Sequence, residues 1–304
     1  MTGASGFIGR WVRDRLLEQG VDVVSLRRRS SPPASAGRSA EVDYLEPESV
    51  LEVVQAERPT YVVHVAGATK GVTLEDFQRA NVAPTEALVN AVKSVGPPLK
   101  RFVLVSSLAS HGPSRLDRPH ADGDPANPIE FYGRSKLEAE RAVEGSGLPH
   151  AILRPGGVYG PGDVDYFNLF KSADQGLNLY FGNRERKFSK IFVSDMVAFI
   201  LRALEHPAAE NKAYFLCDGQ PATWGAFQEA IVARAGRRVR TMNLPEFLVG
   251  MAAAGGEVLS AVDGKPRLFN RQKAAMGRAE AWTCDPSRAF RELELNPKVQ
   301  LEAG

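Results

Sequence analysis

The chain has 304 residues, 43% of them hydrophobic, and a formal net charge of +2. That suffices for one large α/β domain or one domain with a smaller lobe, and the interspersed charges argue against a nucleic-acid or membrane partner. Two distant cysteines, Cys217 and Cys284, show no metal-ligand spacing, and no apolar run spans a bilayer or reads as a signal peptide. The expectation is a soluble cytoplasmic protein with idle thiols and no bound metal.

In chain order, strand-like runs at Val21 to Leu26, Tyr61 to Val65 and Phe102 to Val105 alternate with helical patterns. The helical patterns cover Trp11 to Gln19, Val50 to Glu57 and Asn81 to Val95. Such alternation predicts βαβ units and a doubly wound parallel sheet whose strands are covered on both faces. Ser30 to Ser39 reads as a surface loop. Beyond residue 150 the pattern loosens. Ala151 to Leu153, Ile191 to Val193 and Ala213 to Cys217 read as strands, and Trp224 to Ala235 as a helix. The expected division is a dinucleotide-binding domain over 1–150 and a substrate-binding lobe over 151–304, interleaved with the last strands. Met251 to Met276 resists assignment and could be part of a lobe covering the substrate, with Leu248 to Leu259 as an apolar lid or a plain packed helix.

Residues Thr2 to Gly9 read TGASGFIG. Gly3 suits a tight turn, Gly6 a close approach to a pyrophosphate, and Gly9 close helix–strand packing. The helix that follows offers free N–H groups to the phosphates. This motif requires a strand before it, and only Met1 precedes Thr2. The reading therefore expects a missing first strand and a chain shortened at its start. The final LEAG suggests shortening at the other end too.

The strand VDVVSL ends at Arg27, eighteen residues after Gly9, with no acidic residue there. An acidic side chain at that place selects NAD, and an arginine accommodates a 2′-phosphate. Arg27 or Arg28 thus favours NADP, with NAD still possible, unless the run is simply a solvated basic loop. Asp43 is placed to contact the adenine amino group.

Tyr132 and Lys136 stand as YGRSK at the start of a helical pattern, so a spacing of four places them on one face. The lysine ammonium is expected to lower the phenol pKa and make Tyr132 a usable acid/base. Ser107 ends the strand FVLVSS, where open α/β sheets bind ligands. His64, inside an apolar strand, reads as structural.

Together TGASGFIG, VVHVAGAT, NVAPTEAL with Asn81, FVLVSS, YGRSK and RPGGVYGPGD resemble the extended short-chain dehydrogenase/reductases. More narrowly they resemble the NAD-dependent epimerase/dehydratase family, over Thr2 to about Asp195 and weakly through CDPSRAFREL. The resemblance implies an enzyme with a Rossmann fold and a catalytic group of Ser107, Tyr132 and Lys136. Lys136 would also bind the nicotinamide ribose. Gly3, Ser5, Gly6, Phe7 and Ile8 would meet the pyrophosphate region; Ala66, Gly67 and Ala68 would line the path of the cofactor; Arg154 to Tyr159, with Pro155, would lie near cofactor and substrate.

Two departures narrow the reaction. Leu108 and Ala109 stand where family dehydratases carry Asp-Glu, which argues against dehydration. Phe188 and Ser189 stand where sugar-nucleotide epimerases tend to carry Arg-Asp, so a nucleotide-sugar clamp is absent unless Arg184 or Arg186 replaces it. What remains resembles the dihydroflavonol-reductase and hydroxysteroid-dehydrogenase branch. The expected function is hydride transfer between a nicotinamide and a carbonyl or hydroxyl carbon of a small molecule. The alternatives are a nucleotide-sugar 4-epimerase with bound NAD and a non-catalytic NADP-binding redox sensor. A homodimer through the helix carrying Tyr132 is implied by analogy alone.

Overall fold

The computed structural model describes residues 1–96, 98–245, 247 and 271–301. The strands are β1 (Val24–Arg27), β2 (Arg38–Glu41), β3 (Tyr61–His64), β4 (Arg101–Val105), β5 (His150–Pro155), β6 (Gly157–Tyr159), β7 (Leu177–Phe181), β8 (Lys187–Phe188), β9 (Lys190–Phe192), β10 (Lys212–Leu216), β11 (Ala222–Thr223), β12 (Arg240–Leu244) and β13 (Ala281–Trp282). The α-helices are α1 (Phe7–Glu18), α2 (Pro47–Glu57), α3 (Leu74–Phe77), α4 (Ala83–Val95), α5 (Phe131–Glu144), α6 (Phe167–Asp174), α7 (Val193–Glu205), α8 (Trp224–Arg234), α9 (Arg271–Arg278) and α10 (Ser287–Leu293).

The main sheet is parallel. β3, β4, β5 and β10 lie in that order, and β1 pairs with β2 beside them. Thr2 joins the two groups by parallel bridges to Leu26 and His64. The sheet thus reads β2, β1, Thr2, β3, β4, β5, β10, the doubly wound arrangement that the alternating pattern predicts. At the place of the expected central strand stand Met1 and Thr2, and a cavity of about 1530 Å³ opens alongside, lined by Met1, Leu16, Val23, Val63 and Ala198 among others. This is the larger of the two main cavities, yet it lies away from Ser107, Tyr132 and Lys136.

Burial on both faces explains the continuous apolar strands. Val103, Val105, Ala151 and Leu153 pack toward α1 and α7; Phe102, Leu104 and Ile152 pack toward α2, α4 and α5. Differences from the sequence reading are local. β1 is Val24–Arg27 rather than Val21 to Leu26, because Val21 follows the turn that ends α1. The loop after it closes at Arg38, where β2 pairs with β1. Ile191 belongs to β9, which pairs with β6 outside the main sheet. Leu248 to Leu259 and most of Met251 to Met276 lie outside the described residues; the last six positions of the latter begin α9. Among the described residues no helix is long and apolar enough to cross a membrane, and no group of three metal-ligating side chains occurs.

Candidate active site

One cleft of about 980 Å³ runs across the C-terminal ends of the central strands. The expected catalytic and cofactor-binding residues line it: Gly3, Ser5, Gly6, Phe7 and Ile8 from the turn; Arg27 and Asp43 at one end; Ala66, Gly67 and Ala68 after β3; Ser107, Tyr132, Lys136 and Pro155 in the middle.

The turn fits a pyrophosphate. Gly3 has φ +72°, and a Cβ there would stand 2.7 Å from the Ala66 nitrogen. A Cβ on Gly9 would stand 2.0 Å from the Gly3 carbonyl oxygen, so only glycine lets α1 seat against the turn. α1 starts from Gly6 with no side-chain cap, leaving its first N–H groups facing the cleft. A cradle that side chains would fill, beside an uncapped 12-residue helix, suits the phosphates of a dinucleotide.

Tyr132 and Lys136 lie in the first turns of α5. Its N-cap is Glu130, whose carboxylate accepts from the backbone N–H groups of Tyr132 (2.7 Å) and Gly133 (2.6 Å). A Cβ on Gly133 would meet the Ala109 carbonyl oxygen at 2.2 Å, so the helix start presses directly on the turn after Ser107. Lys136 is buried, and its Nζ donates to the Val105 carbonyl at 2.8 Å. The Ser107 hydroxyl accepts from the Ala109 N–H at 3.1 Å and stands near enough to the Tyr132 phenol to act on its ionisation.

The electrostatics correct one expectation. Burial pushes the Tyr132 phenol up to about 12; the nearby Ser107 hydroxyl pulls the other way, and the carboxylates of Glu130 and Asp165 add to the rise. Burial also lowers Lys136 to about 8, opposed by Glu140. The ammonium therefore does not bring the phenol toward neutrality here. It is turned to the Val105 carbonyl, and desolvation outweighs proximity. His64 is structural as expected. Its ring bridges the hydroxyls of Thr2 (2.6 Å) and Thr85 (2.9 Å), and burial, then the nearby positive charge of Lys136, lowers it to about 3.

Other residues support the site without having been assigned a role from sequence. Asn81 sits in a π-helical turn, Gln78–Val82. Its side chain accepts from the Ala68 N–H at 2.7 Å and donates to the Ala68 carbonyl and the Ser135 hydroxyl, tying the loop after β3 to α5. Such a bulge in a helix is common at functional sites, and an asparagine inside an apolar helical pattern was the visible signal. Glu140 is fully buried, accepts from the Ser106 hydroxyl, and receives two bonds from Arg154.

At one end of the cleft, Arg27 pairs with Glu41 at 3.1 Å, and Arg28 and Ser31 line the wall beside it. At the other end the wall is aromatic: Tyr166, Phe188, Trp224 and Trp282, with Asp163 and Asp165 nearby. The rings of Phe188 and Trp224 stack at 4.6 Å. Neither Arg184 nor Arg186 lines the cleft; Arg184 lies 4.1 Å over the Tyr180 ring and pairs with Glu229.

A family model described as "NAD dependent epimerase/dehydratase family" matches residues 1–217. The chain belongs to that family. It is an enzyme of the NAD(P)-dependent dehydrogenase, reductase and epimerase type, working by hydride transfer at a carbon that bears oxygen. It is similar to ceramide reductase of Caulobacter vibrioides, 28% identical over 95% of this chain and 86% of that protein. It is also similar to dTDP-6-deoxy-L-talose 4-dehydrogenase (NAD(P)(+)) of Kitasatospora kifunensis, 35% identical over 53% of this chain; the match spans 52% of that relative's length. Among solved structures, UDP-glucose 4-epimerase of Thermotoga maritima superposes with a TM-score of 0.82 at 23% identity, over 100% of this chain and 94% of that one. At that identity the likeness speaks for the fold.

Proposed function

We propose that the protein is an NADP(H)-dependent carbonyl reductase or alcohol dehydrogenase acting on an apolar small molecule. One observation carries the reading: Ser107 and Tyr132, with Lys136 one turn further along α5, line the same cleft as the glycine turn. Ser107 holds the reacting oxygen and Tyr132 exchanges a proton with it. The dinucleotide, when bound, supplies or accepts the hydride. Gly3, Ser5, Gly6, Phe7 and Ile8 would hold its pyrophosphate, Ala66 to Ala68 and Pro155 its nicotinamide half, and Lys136 the ribose. A phenol pushed up to about 12 is protonated near neutral pH. It is therefore ready to donate to a carbonyl oxygen, which suits reduction.

NADP is favoured over NAD because cationic side chains, Arg27 and Arg28, face the adenosine end, and the one carboxylate on the adjacent strand end, Glu41, is engaged by Arg27. A guanidinium pairs with a 2′-phosphate through charge-assisted bonds. Asp43, exposed at the same end, is suited to an adenine amino group. The aromatic wall of Tyr166, Phe188, Trp224 and Trp282 supports an uncharged apolar substrate, and the cation near Asp165, Lys70, is engaged by that carboxylate at 3.2 Å. The full-length similarity to a protein named ceramide reductase agrees with this.

The test is titration with NADPH and NADH by nicotinamide fluorescence, followed by NADPH oxidation assays with 2-decalone, 2-dodecanone and UDP-4-keto-glucose. Tight NADPH binding and turnover of the apolar ketones supports the reading. NADH preference together with interconversion of UDP-glucose and UDP-galactose, without net change in the cofactor, would replace it with an epimerase.

A further inference from the structure

We propose that Glu140 is the positioning residue of this site, bracing three cleft-forming elements and holding Lys136 as an ammonium. The inference rests on the role given above to Lys136.

Tyr132, Lys136 and Glu140 follow one another at steps of four along α5, so they share one face. The outer two turns of that face meet the ends of two strands. The Ser106 hydroxyl, next to Ser107, donates to one Glu140 oxygen. The other oxygen accepts from Arg154 Nε at 2.9 Å and Nη2 at 2.7 Å, and Arg154 precedes Pro155 at the end of β5. One carboxylate with no exposed surface therefore joins the Ser107 end of β4, the Pro155 end of β5 and the helix that carries Tyr132 and Lys136.

A buried carboxylate is costly unless paired and fully hydrogen-bonded. Here Arg154 neutralises it, and Arg154 is itself held against the Phe215 ring at 5.5 Å. The charged and titratable groups around this core can be named. His64, from β3, faces Lys136 and is held neutral. Tyr132 lies on α5 itself. His111, after Ser110, feels both Arg154 and Glu140 and is lowered to about 4 by burial, then by Arg154. Glu144, one turn beyond Glu140, is 3.9 Å from Arg154 and half exposed. Of these, Glu140 is the group whose negative charge opposes the desolvation of Lys136. Two cations, Lys136 and Arg154, share this buried region with it. Removing the carboxylate's charge leaves both without compensation.

The two parts of the role separate in a pair of variants. Glu140→Gln keeps the shape but removes the charge. It is expected to lower the melting temperature and to shift the pH dependence of NADPH affinity, measured by fluorescence, about one pH unit downward, because Lys136 loses its proton earlier. Adding Arg154→Met removes the stranded guanidinium. Thermal stability should then recover, since a buried pair can be replaced by apolar groups, while the shifted pH dependence should remain. If the double variant restores the pH dependence along with the stability, or if Glu140→Gln leaves it unshifted, Glu140 is a structural brace alone and the proposal is overturned. Lys136→Met is measured beside them. If it leaves NADPH affinity and its pH dependence as in the parent, the role given to Lys136 falls and this inference with it. A failure confined to the Glu140 variants spares that role.

Discussion

His64 offers a sharp test of the electrostatics beneath the cleft. The perturbation is His64→Gln, which keeps a polar side chain between Thr2 and Thr85 but removes the titration. The imidazole is held at about 3 by burial against an ordinary value of 6.5. A folded-state pKa below the unfolded one means that the unfolded chain takes up the proton first. Stability is therefore lost as the pH falls from about 6.5 toward 3, at ~1.4 kcal/mol per pH unit once below the unfolded value. Between pH 8 and pH 4.5 this one group withdraws roughly 3 kcal/mol, a large share of the stability of an ordinary domain. The assay is urea unfolding of parent and variant at pH 8, 6.5, 5.5 and 4.5. His111, lowered to about 4, and Glu292, lowered to about 2, titrate in both proteins and cancel in the difference. The variant should be less stable at pH 8, for loss of its two threonine bonds, and the gap should close as the pH falls. Parallel stability curves for the two proteins would refute the reasoning, because they would mean that His64 reaches water or a proton in the folded state.

Tyr132→Phe should cut NADPH-dependent ketone reduction by about 10²- to 10⁴-fold; unchanged turnover would remove Tyr132 from the chemistry. Cofactor affinity, read by fluorescence in the same variant, should stay within about twofold, since the phenol acts on the substrate oxygen. Gly3→Ala puts a methyl group 2.7 Å from the Ala66 nitrogen in a backbone conformation of φ +72°. It should cost roughly 1–3 kcal/mol in thermal or urea unfolding and weaken NADPH binding. Arg28→Glu should weaken NADPH by about tenfold or more while sparing NADH; equal losses for both would assign Arg28 to general attraction of phosphate. Trp224→Ala should raise KM for apolar ketones with kcat little changed, as expected when binding common to ground and transition states is removed. A kcat loss without a KM rise would instead place Trp224 in the reacting geometry.

The half of the cleft proposed for the cofactor was legible in the sequence as a glycine turn because its requirements are local. A backbone that must reach φ +72° and tolerate contact at the Cβ position admits glycine, so Gly3 and Gly9 stand out in the primary structure. Tyr132 and Lys136 are likewise one helical turn apart. The substrate half was not legible in this way. Phe188 and Trp224 stack face to face, yet they come from β8 and α8, and Tyr166 and Trp282 come from two further segments. No local spacing announces such a wall; the sequence showed only the absence of an expected arginine at Phe188. Glu140 is intermediate. Its spacing from Lys136 was visible, but its meaning depends on Ser106 and Arg154, which the sheet brings together.

The misjudged sign at Tyr132 has the same origin. Sequence spacing gives the distance between a phenol and an ammonium along a helix, and at fixed distance an ammonium favours phenolate. Spacing does not give burial. Here Lys136 is buried and Tyr132 partly so, and desolvation drives each toward its neutral form, the phenol upward to about 12 and the amine downward to about 8. The Lys136 ammonium is engaged by the Val105 carbonyl at 2.8 Å. A site with a neutral phenol beside an amine that is still charged at pH 7 is poised to give a proton rather than to take one. Carbonyl reduction should accordingly run well at and below pH 7, whereas alcohol oxidation, which needs the phenol to accept, should gain with rising pH until Lys136 titrates near pH 8. Initial rates in both directions from pH 6 to pH 9.5 would show it; coincident profiles would mean that Tyr132 is not the group that moves the proton.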